Sequence, residues 1–365
     1  MRIMSVIASL AESGGAEMLA RNLSLAYASR GHDCHIVYLA DAASLGASHD
    51  FERGFIEQMD AAGIGYTMLG AATRRNPLLG AWRLKRTVRR FRPDVLHIHL
   101  GWGLIFQALG VILVPSIYTH HNIVLKFSPK LFRLFDLLVS HYVAICAPCH
   151  ALLARYVSRP IADIANGVPS DRFGGMPRTQ VPRDLSVLSV GNLTLQKDYP
   201  TLIAAAGQVH SHFAAQGRHI VFRIAGEGPE RAALEALIAA AGLVGVVELL
   251  GARRDIPRLM AEASLMVQCS RFEGLPIALI EAAMSALPAV ATDVGGCGEV
   301  VIDGETGLLV PAKETEALAH AIIEILTHDE RYAQMSNAAK HQAERYTLNQ
   351  CVDAHLRLYE EISHG

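Results

Sequence analysis

Short apolar runs alternate with helical patterns from the first residues of the chain. The run at 3–9 predicts a buried strand, and residues 16–30 carry apolar positions at helical spacing before the stop signal of Gly31. Further strand patterns follow at 35–39, 94–99, 116–119, 142–145 and 161–164. Because buried strands joined by helices pair in parallel, this half of the chain predicts an α/β unit with a mostly parallel sheet.

The alternation restarts after a stretch rich in Pro, Gly, Asp and Arg. Strand patterns recur at 185–190, 220–225, 246–249, 265–268 and 289–291, with helical patterns between them. We therefore expect two α/β domains of similar size with a cleft between them, where ligands bind. The predicted division is a domain at 1–170, a linker at 171–184, a domain at 185–346 and a last helix at 347–365 that crosses back to the first domain.

Composition narrows the class of protein. The chain has 365 residues, is 51% hydrophobic and carries a formal charge of −2, which excludes an extended disordered chain. This balance gives no signature of nucleic-acid binding. No apolar run reaches the roughly 18 residues that a spanning helix needs, and the N-terminus lacks a signal-peptide layout. We expect a cytoplasmic protein.

Basic residues are concentrated in one segment of the first half. Between Arg74 and Arg92 there are eight cations and no acid, with Trp82 and other apolar residues interleaved. Such a segment can lie on an anionic membrane surface or meet an anionic acceptor. The alternative is a solvated helix whose apolar stripe packs on the sheet.

Six cysteines are scattered along the chain. Cys146 and Cys149, followed by His150, fit the spacing of a haem attachment, a redox pair or half of a zinc site. No second Cys/His pair at zinc-finger spacing accompanies them, and haem attachment would need export. We expect free thiols at a junction between a strand and a helix.

Residues 271–281 carry the most informative chemistry. Glu273 and Glu281 stand eight positions apart around Pro276, which suits the first position of a helix. The free amides of a first helical turn, with the positive end of the helix dipole, form a seat for an anion such as a diphosphate. Two carboxylates beside that seat can accept hydroxyls of a sugar and of a ribose. The alternative is a surface loop that leads into an ordinary amphipathic helix.

Other candidate residues also follow predicted strands. Gly14 and Gly15 let the backbone approach a ligand at the start of the first helix. Lys197 follows a strand and can neutralise phosphate charge, and His121 can hydrogen-bond a sugar hydroxyl. Each candidate has a simpler alternative. Any tight turn would use the two glycines, and Lys197 taken alone is better explained as a solvated surface lysine. The histidine can be satisfied by the backbone, and for His120 we prefer that alternative.

Two motifs are absent from the sequence. No Gly-x-Gly-x-x-Gly occurs, which argues against a dinucleotide oxidoreductase. No Asp-x-Asp pair occurs either, so the clamp of metal-dependent sugar transferases is missing. We therefore expect no metal and no cofactor.

With these residues assembled, the chain resembles glycosyltransferase family 4, the retaining nucleotide-sugar transferases of the GT-B fold. The resemblance covers nearly the whole length and rests on several short motifs. These are Gly14-Gly15-Ala16-Glu17, Thr119-x-His121-Asn122, Asn166-Gly167-Val168, Gly191-Asn192-Leu193 with Lys197, Gly226-Glu227-Gly228-Pro229, the segment from Ser270 to Glu281, Thr292-Asp293-Val294-Gly295-Gly296 with Glu299, and Asp303-Gly304-x-Thr306-Gly307-Leu308-Leu309-Val310.

The resemblance implies a role for each candidate residue. Glu273 and His121 would be catalytic and lie beside the transferred sugar, and Glu281 would bind the ribose hydroxyls. The remaining donor contacts would come from Gly15, Asn192, Lys197, Gly226, Arg253, Gly274 and Leu275, with Gly14 and Glu17 on the acceptor side. Glu273 would act through charge and position rather than as a clear nucleophile. The family often carries arginine where Asn192 stands, so one cationic phosphate contact is absent or supplied elsewhere.

The resemblance also implies the partners. The donor would be a UDP-sugar, with a GDP-sugar second, and the acceptor a glycan or lipid-linked molecule of surface polysaccharide synthesis. Two alternatives stay open. One is a sugar-nucleotide epimerase of the same fold, and the other is a non-catalytic protein that binds nucleotide sugars.

Overall fold

The computed structural model describes residues 1–10, 14–45, 49–125 and 127–364. It contains two compact units, one formed by Met1–Gly167 with Leu348–Gly365 and the other by Val168–Thr347. Each unit is built on a parallel sheet with helices in its crossovers. The predicted fold class, two Rossmann-like α/β domains, is confirmed.

The first unit has a seven-stranded sheet in the order β3-β2-β1-β4-β5-β6-β7, in which all neighbours are parallel. Its strands are β1 Arg2–Ser9, β2 Asp33–Ala40, β3 Gly65–Met68, β4 Val95–Ile98, β5 Ser116–His120, β6 His141–Ala144 and β7 Ile161–Asp163. Its helices are α1 Gly15–Ser29, α2 Ala42–Leu45, α3 His49–Ala61, α4 Pro77–Phe91, α5 Gly101–Gly110, α6 Pro129–Phe135, α7 Ala147–Leu153 and α15 Leu348–His364. The last helix packs on α1, where the hydroxyls of Tyr27 and Tyr359 lie 3.1 Å apart.

The second unit has a six-stranded sheet in the order β10-β9-β8-β11-β12-β13, again all parallel. Its strands are β8 Leu185–Val190, β9 Ile220–Ala225, β10 Val247–Gly251, β11 Leu265–Gln268, β12 Ala289–Thr292 and β13 Gly307–Val310. Its helices are α8 Tyr199–Ala214, α9 Arg231–Ala240, α10 Ile256–Glu262, α11 Ile277–Met284, α12 Cys297–Val300, α13 Thr315–Thr327 and α14 Asp329–Ala343. Strands β8, β11 and β12 are buried on both faces, which explains their continuous apolar runs.

Both sheets reverse their order beside their first strand. The switch lies between β1 and β4 in the first unit and between β8 and β11 in the second. At such a point the loops leaving the carboxyl ends of the two strands turn to opposite faces, and a crevice opens between them. The fold therefore places the β8–α8 and β11–α11 loops at the ligand-binding position of the second unit.

The residues between the two sheets are tied to the second unit. Phe173 is buried, and Arg178 donates to the carbonyls of Met260 and Ala261 at 2.9 and 3.3 Å. The segment predicted as a linker thus contributes side chains to this unit. The short strands β3 and β13 were missed by the sequence reading, because each begins with a glycine in a stretch that resembles a turn.

Candidate functional site

Two loops meet at the switch point of the second sheet. The backbone N–H of Arg271, in the β11–α11 loop, donates to the carbonyl of Gln196 in the β8–α8 loop at 2.8 Å. The Arg271 guanidinium also donates to the buried carboxylate of Asp198 at 2.8 Å. These contacts hold the two loops side by side.

A buried ion pair joins the same loops. The Lys197 ammonium lies 2.7 Å from Oε1 of Glu273, and their side chains are only 18% and 9% exposed. Sequence analysis assigned these residues to different parts of a donor molecule, and the structure brings their side chains into direct contact. The position of this ion pair is therefore set by both loops.

Three further side chains fix the Glu273 carboxylate. Ser270 donates to Oε1 at 2.6 Å, Gln268 donates to Oε1 at 2.8 Å, and Gln196 approaches Oε2 at 3.4 Å. Charge-assisted hydrogen bonds of this kind hold a carboxylate in one orientation. Gln196 and Gln268 were missed by the sequence reading, although their positions beside Lys197 and at the end of a buried strand were available as signals.

The loop after β12 supports the site from the other side. The N–H of Gly296 donates to the carbonyl of Gly274 at 2.8 Å, and Thr292 Oγ1 donates to the carbonyl of Ser270 at 2.7 Å. Gly295 has a φ of 56°, and a Cβ there would lie 1.9 Å from the carbonyl oxygen of Glu273. Only glycine satisfies both the backbone angle and the close approach.

Helix α11 begins one residue later than predicted. Pro276 has a ψ of 110°, so it is the extended residue before the helix and not its first member. Its carbonyl accepts from the N–H of Leu279 at 3.1 Å, whereas the N–H groups of Ile277 and Ala278 have no acceptor among the described residues. Gly274 and Leu275 are buried just before them. Unpaired amides at a helix start can bind an anion, so the anion seat at this position stays a prediction.

Glu281 lies one turn into α11. Its side chain is partly buried, and its carboxylate has no hydrogen-bond partner among the described residues. Burial raises its pKa to about 7, and the charge of Arg172 opposes that shift. Any ligand hydroxyl that donates a hydrogen bond to this carboxylate would stabilise its ionised form.

The remaining candidates of this unit lie at the ends of its neighbouring strands. Asn192 follows β8 and is exposed, and Gly226 follows β9, where a Cβ would lie 2.0 Å from the carbonyl oxygen of Gly191. Arg253 follows β10, is exposed and forms a two-point ion pair with Asp255 at 2.8 and 2.7 Å. The structure therefore places Arg253 on the same sheet edge without a contact to the Glu273 cluster.

In the first unit, Gly14 and Gly15 form the start of α1. Gly14 is the extended N-cap residue, and its carbonyl accepts from the N–H of Met18 at 2.9 Å. A Cβ on Gly14 would lie 2.5 Å from Oε2 of Glu17, so the Glu17 side chain folds back over the helix start. Gly15 is exposed beside it.

His121 follows β5 and belongs to a group of histidines. Its Nε2 lies 3.1 Å from Nδ1 of His99, and the two rings stack with centroids 5.3 Å apart. Burial lowers the pKa of His121 to about 3, so its imidazole is neutral at physiological pH. His120 contacts the hydroxyl of Tyr118 at 3.2 Å instead. Sequence reading treated His97 and His99 only as strand residues, although their spacing of two puts them on one face.

The cysteines form no disulfide, and all six thiols are buried. Cys146 and Cys149 lie near one another, with their sulfur atoms 3.2 Å apart. Within the described ranges, no three His, Cys, Asp or Glu side chains are arranged to hold a metal ion. In the same ranges, no helix has the length and apolar character needed to span a membrane.

Both halves of the chain match models of known glycosyltransferase families. Residues 13–172 match the model of Glycosyltransferase Family 4, and residues 178–342 match that of Glycosyl transferases group 1. An alpha-D-kanosaminyltransferase of Streptomyces kanamyceticus is 36% identical over 48% of this chain and 45% of its own length. The chain thus spans about half the length of that relative in the alignment. An N-acetyl-alpha-D-glucosaminyl L-malate synthase of Bacillus anthracis is 22% identical over 77% of this chain and 78% of its own.

Solved structures of similar fold cover nearly the whole chain. The Anabaena protein HepE in complex with UDP-glucose superposes with a TM-score of 0.82 at 21% identity, over 98% of this chain and 99% of that one. Sucrose-phosphate synthase of Thermosynechococcus elongatus gives a TM-score of 0.77 at 17% identity, over 99% and 98%. Because both halves match glycosyltransferase models and each unit has the parallel sheet described above, the chain is a family 4-like glycosyltransferase of the GT-B fold.

Proposed function

We propose that this protein transfers a sugar from a nucleotide diphosphate sugar to a glycan or lipid-linked acceptor. The transfer retains the anomeric configuration and uses no metal cofactor. The observation that carries the proposal is the buried Lys197–Glu273 pair beside the unpaired amides that open α11. This arrangement offers a cation, backbone dipoles and a fixed carboxylate at the ligand-binding end of one parallel sheet.

This geometry and the family resemblance together support the following donor contacts. Lys197 and the backbone at Gly274 and Leu275 hold the diphosphate, where main-chain dipoles and one amine replace a metal ion. Glu281 accepts the ribose hydroxyls, which stabilise its ionised form. Asn192, Gly226 and Arg253 border the nucleotide along the neighbouring strand ends. For Gly15 of the first unit we propose a contact to the phosphates, and for Gly14 and Glu17 a contact to the acceptor.

Glu273 acts as a positioning and electrostatic group in this reaction. Oε1 already accepts from Lys197, Ser270 and Gln268, and these donors withdraw electron density from the carboxylate. Such an oxygen is a poor nucleophile. The acceptor oxygen instead bonds to the anomeric carbon as the bond to the leaving phosphate oxygen breaks, and the acceptor's proton passes to that oxygen. Neutral His121 contacts the transferred sugar and is the proposed catalytic histidine of the first unit.

Several named relatives support a nucleotide-sugar donor and a glycolipid or glycan product. One solved structure of similar fold contains UDP-glucose. A phosphatidyl-myo-inositol mannosyltransferase of Mycolicibacterium smegmatis is 25% identical over 80% of this chain and 76% of its own length. We therefore propose a UDP-sugar as donor, with a GDP-sugar second, and a role in surface polysaccharide synthesis.

The test is a screen with a product readout. UDP-sugars and GDP-sugars are incubated with the protein in EDTA, with lipid-linked and soluble glycan acceptors, and products are followed by proton NMR. The proposal predicts one donor that yields a product with unchanged anomeric configuration. Inversion, a strict need for added metal or conversion of the donor alone would contradict it, and the last result would indicate an epimerase. Binding without turnover would indicate a non-catalytic protein.

We also propose that the first unit contacts an anionic membrane surface through the basic segment at 74–92. In α4, Leu84 and Val88 are buried, while Leu78 and Trp82 are 68% and 57% exposed. Arg86, Arg89 and Arg90 are exposed on the same helix, and Arg86 stacks on Trp82 at 5.6 Å. Exposed apolar and cationic side chains on one helix suit the interface of an anionic bilayer.

A further inference from the structure

Four imidazoles lie together in the first unit: those of His97, His99 and His355 are buried, and that of His121 is partly buried. His97 and His99 come from β4 and the residue after it, His121 follows β5, and His355 belongs to α15. The ring centroid of His97 lies 3.8 Å from that of His99 and 5.2 Å from that of His355. The group connects the proposed catalytic histidine to the helix that ends the chain.

Two members of the group have fixed hydrogen-bond partners. His97 contacts Tyr359 through Nδ1 at 2.6 Å and Thr119 through Nε2 at 2.7 Å. His355 Nδ1 lies 2.9 Å from the carbonyl of Cys351, and a carbonyl only accepts, so this nitrogen carries the proton. The Nε2 of His355 is then a bare acceptor, and it is buried without a partner among the described residues.

Like His355, His99 has one ring nitrogen with a partner and one without. Its Nδ1 contacts Nε2 of His121 at 3.1 Å, and its own Nε2 is buried without a partner in the described part of the chain. Burying an unpaired N–H is less tolerated than burying an unpaired acceptor. The proton of neutral His99 therefore belongs on Nδ1, where it has an acceptor.

We propose that His99 is a positioning residue that donates from Nδ1–H to Nε2 of His121. The contact fixes His121 as the tautomer with its proton on Nδ1, so that His121 offers an N–H donor to the reacting group. The role of that donor in the reaction rests on the proposed function. The tautomer itself does not.

The surroundings keep all four rings neutral. Burial is the main cause of a lowered pKa for each of them, to about 3 for His121 and about 4 for His355. The other titratable groups of this network are Tyr27, Tyr359, Cys351 and His120. Within the described residues, no carboxylate is hydrogen-bonded to any of the four rings. A neutral imidazole has one donor and one acceptor, so fixing one nitrogen decides the other.

Nitrogen-15 NMR of histidine-labelled protein tests the assignment directly. Between pH 6 and 8, the wild-type protein should show His121 with a protonated Nδ1 and a bare Nε2. A His121 resonance pair of the opposite tautomer, or a mixture of the two, would overturn the proposal. Resonances are assigned by comparison with His121→Gln.

Two variants of His99 separate hydrogen bonding from packing. His99→Asn keeps an N–H near the position of Nδ1, so we expect the His121 tautomer and kcat to stay within about twofold. His99→Phe keeps a ring without the donor, so we expect a mixture of tautomers and a kcat lowered about tenfold at a nearly constant donor KM. His150→Gln, which alters a half-exposed histidine paired with Asp163, is the control.

The outcomes separate the two proposals. Unchanged His121 tautomer and kcat in His99→Phe would refute the positioning role. Absence of turnover with every donor would refute the proposed function, while the wild-type tautomer still decides the hydrogen-bond assignment.

Discussion

The Lys197–Glu273 ion pair is the residue-scale feature on which the donor site depends. Sequence reading selected both residues from their places after buried strands, but 76 positions separate them and no local pattern encodes their contact. Gln268 was overlooked because a polar residue at the end of an apolar strand has no chemical motif of its own. Its role emerges only when the fold brings Glu273 within 2.8 Å.

Replacing Lys197 by Met should destabilise the protein by about 2–4 kcal/mol, because Glu273 would remain buried without its cation. Urea denaturation measures the change. The double variant Lys197→Met with Glu273→Gln should recover part of the loss. Arg258→Met, which breaks an exposed pair with Glu262, is the control and should cost less than about 1 kcal/mol. Equal stability of Lys197→Met and wild type would contradict the account.

Glu281 should make stability depend on pH in a defined direction. Its folded pKa of about 7 lies above its ordinary value of 4.5, so the folded state favours the protonated form. The stabilisation that the folded state gains from the protonated carboxyl is fully present below pH 4.5 and is lost as pH rises through 7. Relative to Glu281→Gln, the wild-type protein should lose about 3 kcal/mol of unfolding free energy between pH 4.5 and 8. Parallel stability curves for the two proteins would show that burial does not shift this group.

At the scale of elements, the site is a set of loops fastened to one another at the carboxyl ends of β8, β11 and β12. Sequence analysis located these loops because Gly, Pro and polar residues punctuate the apolar runs. It did not reveal that the loop after β12 donates to the carbonyl of Gly274 and passes close to that of Glu273. This close approach requires glycine at position 295, and the requirement is visible only once the Glu273 carbonyl is in place.

Gly295→Ala should displace the Glu273–Gly274 segment, because its Cβ would lie 1.9 Å from the Glu273 carbonyl oxygen. We expect a loss of at least about 2 kcal/mol in stability and a weaker affinity for UDP. Gly304→Ala is a matched control, since Gly304 also has a positive φ of 76° but no atom within 4 Å of its Cβ position. Gly304→Ala should cost about 1 kcal/mol of backbone strain and leave UDP affinity unchanged. Equal effects of the two substitutions on UDP affinity would contradict the proposed support.

At the scale of the whole molecule, hydrophobic alternation was sufficient to predict two parallel α/β units. The period of the apolar residues distinguishes strands from helices, and the crossovers require parallel pairing. Strand order within each sheet was not predicted, because pairing partners are chosen by contacts between distant segments. The ligand-binding crevice of each unit follows from that order and was therefore located only by the structure.

Membrane contact is a property of the intact protein and is tested by co-sedimentation with vesicles that contain anionic lipid. Neutralising Arg86, Arg89 and Arg90 to Gln should reduce binding roughly a hundredfold, since each exposed cation contributes about 1 kcal/mol near an anionic surface. Arg83 is left unchanged because it donates to the carbonyl of Leu69 and supports the fold. The matched control neutralises Arg254, Arg258 and Arg345 in the second unit. Equal binding by the α4 variant and wild type would leave the segment as an ordinary solvated helix.

The most direct test of the donor site is the affinity for UDP measured by calorimetry in EDTA. Lys197→Ala and Glu281→Ala should each weaken binding at least about tenfold, because each loses a contact worth roughly 1.4 kcal/mol or more. His121→Ala should retain wild-type affinity and lose turnover. Wild-type affinity for UDP in both Lys197→Ala and Glu281→Ala would contradict the central claim that the nucleotide binds at this edge of the second sheet.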